Sequence, residues 1–341
     1  MPKVVGRKKS AQASAEPYYA QEHECSHPGC CKTSYYCEEG KPWCGWHGPM
    51  CSDRIKLKKN PQKAVNEAEA IRKHDASVEE ACAANQADAK KGKLICTQIP
   101  NMYGRVTHVD GYLTVAPNNK HNNLKGCLPG CAELSPKRLG PVDWVEGLPP
   151  AMTIEGFHQG RKCWTCELDK ETKLPGKRFY EQRDYVFGIR NDPPRHKYGH
   201  TKEIHLRKLK ELGEVLPKAK NGKKHNANIP LYSVIPMRVD GVLVEVKMSY
   251  VDSRKDYCVA CARLMPRTKA FQELVRRLEA GYNINICGYD GQTFVDAGDL
   301  RRLYRDKSRP FGHELVLACL LLGIAPWDEE EQKFEVLRAL E

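Results

Sequence analysis

IPMRVDGVLVEV, residues 235 to 246, reads as two strands of apolar, β-branched character joined at Asp240-Gly241. An Asp-Gly pair supplies the positive φ angles of a two-residue turn, so the stretch predicts an antiparallel hairpin. It runs into SYVDSRKDYCVACARLMPRTKAFQELVRRLEAGYNINICGYDG (249–291), whose apolar spacing predicts helices over roughly 249–264 and 267–280 and a buried strand, INICGYD, at 284–290. Helical patterns also cover 312–323 and 329–340. Upstream, LICTQI and then RVTHV-Asp110-Gly111-YLTV repeat the strand and hairpin signals from Lys93 onward. Helices follow hairpins without regular β-α alternation, which predicts an α+β fold.

Working outward, the 341 residues divide by composition. Residues 1–20 are small, polar and basic, and predict a disordered tail. Residues 21–60 hold a Cys/His segment, and 61–92, rich in Ala, Glu and Lys, predict a poorly buried linker helix. The body is 93–341, with a Pro-, Gly- and Lys-rich insertion at about 175–230 that has one short helical pattern near 203–212. The longest apolar run, Leu315 to Ile324, falls short of the about 20 residues that cross a bilayer, so no membrane contact is expected. The 16 cysteines cluster in short spacings and nothing resembles a signal peptide. Both point to a reducing, intracellular setting, in cytoplasm, nucleus or virion.

The net charge of +12 is uneven. Residues 1–63 carry 11 Lys/Arg against 6 Asp/Glu, and 197–225 carry 9 against 3. Tail and insertion can attract nucleic acid through counterion release, or simply keep the protein soluble.

Cys25-SHPG-Cys30, then thirteen residues, then Cys44-GW-His47 sets three thiolates and an imidazole in two close pairs. Two such knuckles suit one tetrahedral Zn²⁺, and four protein ligands leave no position for substrate, so this zinc is expected to be structural. Cys31, Cys37 and Cys51 are spare thiols. The spacing resembles a cysteine-rich C-x4-C, C-x2-H repeat of proteins from brown algae and large algal DNA viruses, with a shorter central gap here. That resemblance implies a single structural binding module with Cys25, Cys30, Cys44 and His47 as ligands.

In VEGLPPAMTIEGFHQGRKCW, a helix over 153–168 would place Glu155, Gln159 and Lys162 on one face and Ile154, Phe157 and Trp164 on another. A carboxylate, an amide and an amine together can hold a ribose or phosphate and move a proton, although an amphipathic surface helix with a salt bridge has the same pattern. In order, Leu134-Ser135, Gly147 and Thr153-x-Glu155-x3-Gln159-x2-Lys162 resemble the signature of the YbiA/NADAR family. Asp290 falls at that family's later acidic position, and FGHELVLACLLL at its closing helix. The likeness spans about 134–323. It implies a NADAR-like fold and an N-glycosidase acting on ADP-ribose or a ribosylated base, with Glu155 and Asp290 acidic and Gln159 and Lys162 binding. The chain departs from the family in lacking Trp-Gly after the acidic residue and in having Arg309-Pro-Phe-Gly312-His313 where the family has Gly-x-Asn.

Other clusters remain open. Cys163/Cys166 with Cys258/Cys261 would form a second metal site or merely allow close helix packing. Cys127 and Cys131 flank a Gly/Pro turn. Asp192-Pro-Pro-Arg195-His196-Lys197 is a basic edge or a solvated turn. Arg309 and His313 precede a helix and can serve an anion or a cap. Two functions follow: an N-glycosidase binding a nucleotide or ADP-ribose, or a non-catalytic zinc protein of a viral particle or chromatin that holds nucleic acid or protein partners.

Overall fold

The computed structural model describes residues 36–38, 41–43, 55–56, 61–99, 106–118, 126–164, 167–189, 230–289, 292–306 and 308–340. The chain divides into two compact units, residues 1–73 and 74–341. In the first, β1 (Tyr36–Glu38), β2 (Lys41–Trp43) and β3 (Ile55–Lys56) form an antiparallel sheet in the order β2-β1-β3. The zinc-ligand positions Cys25, Cys30, Cys44 and His47 lie outside the described residues. So do Asp290, Cys166, residues 192–197 and the helix expected near 203–212.

The 27-residue helix α1 (Pro61–Ala87) fills the expected linker position. It is less solvated than its composition predicts: from the start of the second unit, His74, Val78 and Cys82 form a buried stripe at i, i+4 and i+8. Asn85 extends the stripe, donating to Gly281 O at 2.8 Å and to Asn283 Oδ1 at 3.0 Å.

The body is α+β, with mixed sheets. β4 (Leu94–Gln98), β9 (Ile284–Gly288) and β5 (Leu113–Val115) form a parallel sheet with β9 in the centre. Every residue of β9 is buried, the polar Asn285 included, whose amide donates to Thr107 O at 3.1 Å. The other sheet is antiparallel, in the order β10-β8-β7-β6. Its centre is the expected hairpin, β7 (Tyr232–Val239) and β8 (Val242–Met248), turning at Asp240 (φ 50°) and Gly241 (φ 80°). β6 (Lys162–Cys163) and β10 (Phe334–Ala339) are its edges. Helices α2 (Ile154–Gly160), α3 (Lys177–Gly188), α4 (Arg254–Leu264), α5 (Lys269–Glu279), α6 (Ala297–Arg305) and α7 (His313–Leu321) complete the unit. One large apolar core joins the sheets to α2, α4, α5, α6 and α7.

Four local expectations are corrected, the first being the insertion expected at about 175–230 with its one helical pattern near 203–212: it opens with helix α3, whose Phe179, Val186 and Phe187 are buried. Around Asp110-Gly111 only the turn forms: Val109 and Tyr112 make one antiparallel bridge, and Leu113–Val115 then pairs in parallel with β9. Burial decides this, because Val115 is wholly enclosed beside β9 and the Thr107 carbonyl accepts from the Asn285 side chain instead of from a cross-strand N–H. The segment expected as a helix at 329–340 is strand β10, since the open edge of β8 offers a row of unpaired backbone groups. The helix expected over 153–168 ends at Gly160, and Lys162 and Cys163 join β7 as strand β6.

Candidate functional site

Helix α2 owes its short length to its sequence. Thr153 caps it, its hydroxyl accepting from Gly156 N at 2.9 Å. Gly160 closes it where a Cβ would sit 2.4 Å from the Phe187 ring, so only glycine lets α3 approach this closely. The next residue, Arg161, is completely buried and pairs with Asp256 of α4. That anchor turns the chain into β6 and brings Lys162 back beside the helix it has just left.

The result is a hydrogen-bonded series. Lys162 Nζ donates to Gln159 Oε1 at 3.0 Å, and Gln159 Nε2 donates to Glu155 Oε1 at 3.0 Å. Lys162 and Gln159 are buried, whereas Glu155 is half-buried, so the series runs from the interior to a reachable carboxylate. The three residues therefore meet as expected, but through a helix-to-strand turn instead of one helical face. Tyr250 lies under the ammonium, its ring centroid 5.5 Å from Nζ, and His158 packs on Tyr257 at 4.9 Å.

Tyr257 and Cys261 of α4 lie in the field of two carboxylates. Burial, the largest effect, pushes the Tyr257 phenol up, and Cys261, Glu155 and Glu314 add to the shift. Burial likewise raises the Cys261 thiol, the Tyr257 hydrogen bond opposes it, and Glu155 and Glu314 raise it further. Glu314 is a group that the sequence reading missed. It is wholly enclosed in the first turn of α7, where Oε1 accepts from Tyr289 N at 3.1 Å and Oε2 lies 3.4 Å from His313 Nδ1. Gly288 makes the room, because a Cβ there would stand 2.0 Å from Glu314 Cγ. The available signal was an acid opening the most apolar helix of the chain, HELVLACLL. The expected acidic position Asp290 directly follows Tyr289 in the chain.

The remaining expected residues serve the α7 entry. His313 Nε2 is 2.9 Å from Pro117 O, and as that carbonyl only accepts, this nitrogen carries the proton. Arg309 is exposed and its carbonyl accepts from buried Arg254 at 2.9 Å. Cys163 belongs to a small cluster with Phe179 and Val234, whereas Cys258 and Cys261 lie in the main core. Among the described residues no three Cys, His, Asp or Glu side chains gather as a metal site. Cys127 is half-buried and Cys131 buried, and burial pushes each thiol to about 12.

No family model, curated protein or solved structure matches this chain. Among the described residues no helix is long and apolar enough to cross a membrane. A cleft of about 700 Å³ lies between the 138–144 segment and the α4–α5 junction and is not lined by Glu155, Gln159 or Lys162. The Glu155 carboxylate and this cleft are thus separate features of the body.

Proposed function

We propose that the body hydrolyses an N-glycosidic bond of ADP-ribose or a ribosylated base, with Glu155 as its reacting carboxylate. The observation that supports this reading is the Lys162–Gln159–Glu155 series. Lys162 fixes which way the Gln159 amide points, and the amide holds Glu155 Oε1. The other oxygen is left to face an electron-deficient ribosyl carbon or to orient the attacking water. A fixed negative charge next to a positive centre that develops only in the transition state lowers the barrier selectively. Asp290, one residue beyond the Tyr289–Glu314 contact, supplies the second acid in this reading.

The test is release of free base or ribose from ribosylated substrates, with ADP-ribose titrated alongside. Glu155→Gln keeps the hydrogen bond to Gln159 but removes the charge, so hydrolysis is expected to fall at least about a hundredfold while binding changes little. Equal turnover by the variant, or neither binding nor turnover by the native chain, would overturn the reading.

For the first unit we propose one structural Zn²⁺ on Cys25, Cys30, Cys44 and His47. The β1–β2 hairpin supports this, since pairing Tyr36 with Trp43 folds back the stretch between the two ligand pairs. One zinc per chain is expected, and its loss in Cys44→Ser. The intracellular setting and contact of the tail and insertion with nucleic acid belong to the same proposal.

A further inference from the structure

The cleft apart from Glu155 has its own chemistry. Arg138, Arg263, Arg267 and Lys269 line it, together with Trp144. Two acids share the lining, Glu133 and Asp143, and one of them is already engaged: Glu133 Oε2 accepts from Ala270 N at 3.0 Å, closing the first turn of α5. Thr268 takes the next amide, Phe271 N, at 3.1 Å. The helix end is therefore capped by the protein itself, and the positive field of the cleft comes from side chains.

Three of those side chains, Arg263, Arg267 and Lys269, are not spent on ion pairs among the described residues. Among the described residues Arg263, Arg267 and Lys269 have no carboxylate within 4.0 Å, unlike Arg276 and Arg277 one to two turns further along α5, which both bind Glu273 at 2.7 Å. Arg263 instead lies over the Trp144 indole, its guanidinium carbon 4.6 Å from the ring centroid. A guanidinium that rests on an aromatic face retains N–H donors for an anion and gives up less conformational freedom when one arrives. The site comes from two distant segments: 138–144 is tied to α2 by Ile154 N donating to Leu139 O at 2.8 Å, and 263–269 is the α4–α5 corner. Its about 700 Å³ suits a nucleotide-sized ligand.

We infer that this cleft binds the phosphate groups of a small phosphorylated ligand, with Arg263 and Arg267 as the principal contacts. The inference goes beyond the hydrolase reading and does not need it, because a bare pyrophosphate has no glycosidic bond.

The experiment is calorimetric titration of the full-length protein with inorganic pyrophosphate at two salt concentrations, repeated with Arg263→Ala/Arg267→Ala, with Glu155→Gln, and with an oligothymidylate as a second titrant. Both arginines are exposed, so the double variant is expected to melt as the native chain does. Pyrophosphate binding that weakens with salt, falls about tenfold or more in the double variant and is unchanged in Glu155→Gln supports the cleft. Absence of pyrophosphate binding overturns it, as does binding that the double variant leaves intact, which would place the anion on the basic tail or insertion. Oligothymidylate binding that depends on the two arginines without any pyrophosphate binding also overturns it, in favour of a nucleic-acid surface.

Discussion

Arg161 carries a positive charge inside the body. It is completely enclosed, 4.1 Å over the Phe157 ring and paired with Asp256, and among the described residues its Nη2 finds no acceptor. Removing the partner of a buried charge costs more than the pair itself contributes, so Asp256→Ala is expected to lower stability by about 3 kcal/mol in denaturant melts. Because Arg161 also sets the turn that returns Lys162 to α2, the proposed hydrolase activity implies that the same variant weakens ADP-ribose binding. Glu273 illustrates the opposite, solvated case. Hydrogen bonds from Arg276 and Arg277 hold its carboxyl at about 2, below its ordinary range. A depressed pKa contributes stability at neutral pH that is lost as pH falls from about 4.5 towards 2. With the pair partly exposed, Glu273→Gln should flatten that limb of the Tm–pH curve by less than about 1 kcal/mol. The buried thiols set the alkaline limb. Cys127, Cys131 and Cys319 are pushed to about 12 by burial, so stability is expected to fall as pH climbs above about 9, where thiols of the unfolded chain ionise first.

Among the elements, those carried by local chemistry were readable and those chosen by a distant partner were not. The Asp240-Gly241 hairpin and strand β9 depend on turn residues and a mainly apolar run, and both stand where the pattern puts them. Strand β10 answers the open edge of β8, and β6 answers the Arg161–Asp256 pair, so the helical periods of 329–340 and 153–168 misled. Helix α6 went unread although Asp296 caps it, its carboxylate accepting from Gly298 N at 2.6 Å. At the site, Glu155, Gln159 and Lys162 were legible as a motif, whereas Glu314 depended on Gly288 for its space. Asn283 joins several elements at once. Its Oδ1 accepts from Asn85 Nδ2 and from Lys93 N at 2.8 Å, and its Nδ2 donates to Gly111 O at 3.1 Å. Asn283→Ala removes the side-chain partner of the Lys93 N–H and the Gly111 carbonyl, both part-buried, and should cost about 1–2 kcal/mol by denaturant melt, loosening α1 from His74 onward in hydrogen exchange.

On the scale of the molecule, the division into two units predicts two kinds of stability. Metal removal from the full-length protein is expected to abolish order in the first unit, seen as loss of hydrogen-exchange protection at β1 and β2, while the main calorimetric transition of the body shifts by less than about 2 °C. A body that melts with its zinc would count against a purely structural site at the N-terminus.

The place of β9 has a consequence for the birth of the protein. Its two partners, β4 and β5, are made some 170 to 190 residues earlier, since Leu94 and Leu113 both pair with Ile284. While the ribosome is still adding α4 and α5, those two short apolar strands have nothing between them, and the sheet closes only when its middle member leaves the exit tunnel. Translation therefore imposes a long wait on exposed strand edges, at domain synthesis rates of about 5–20 residues per second, and leaves them open to wrong pairing during that interval.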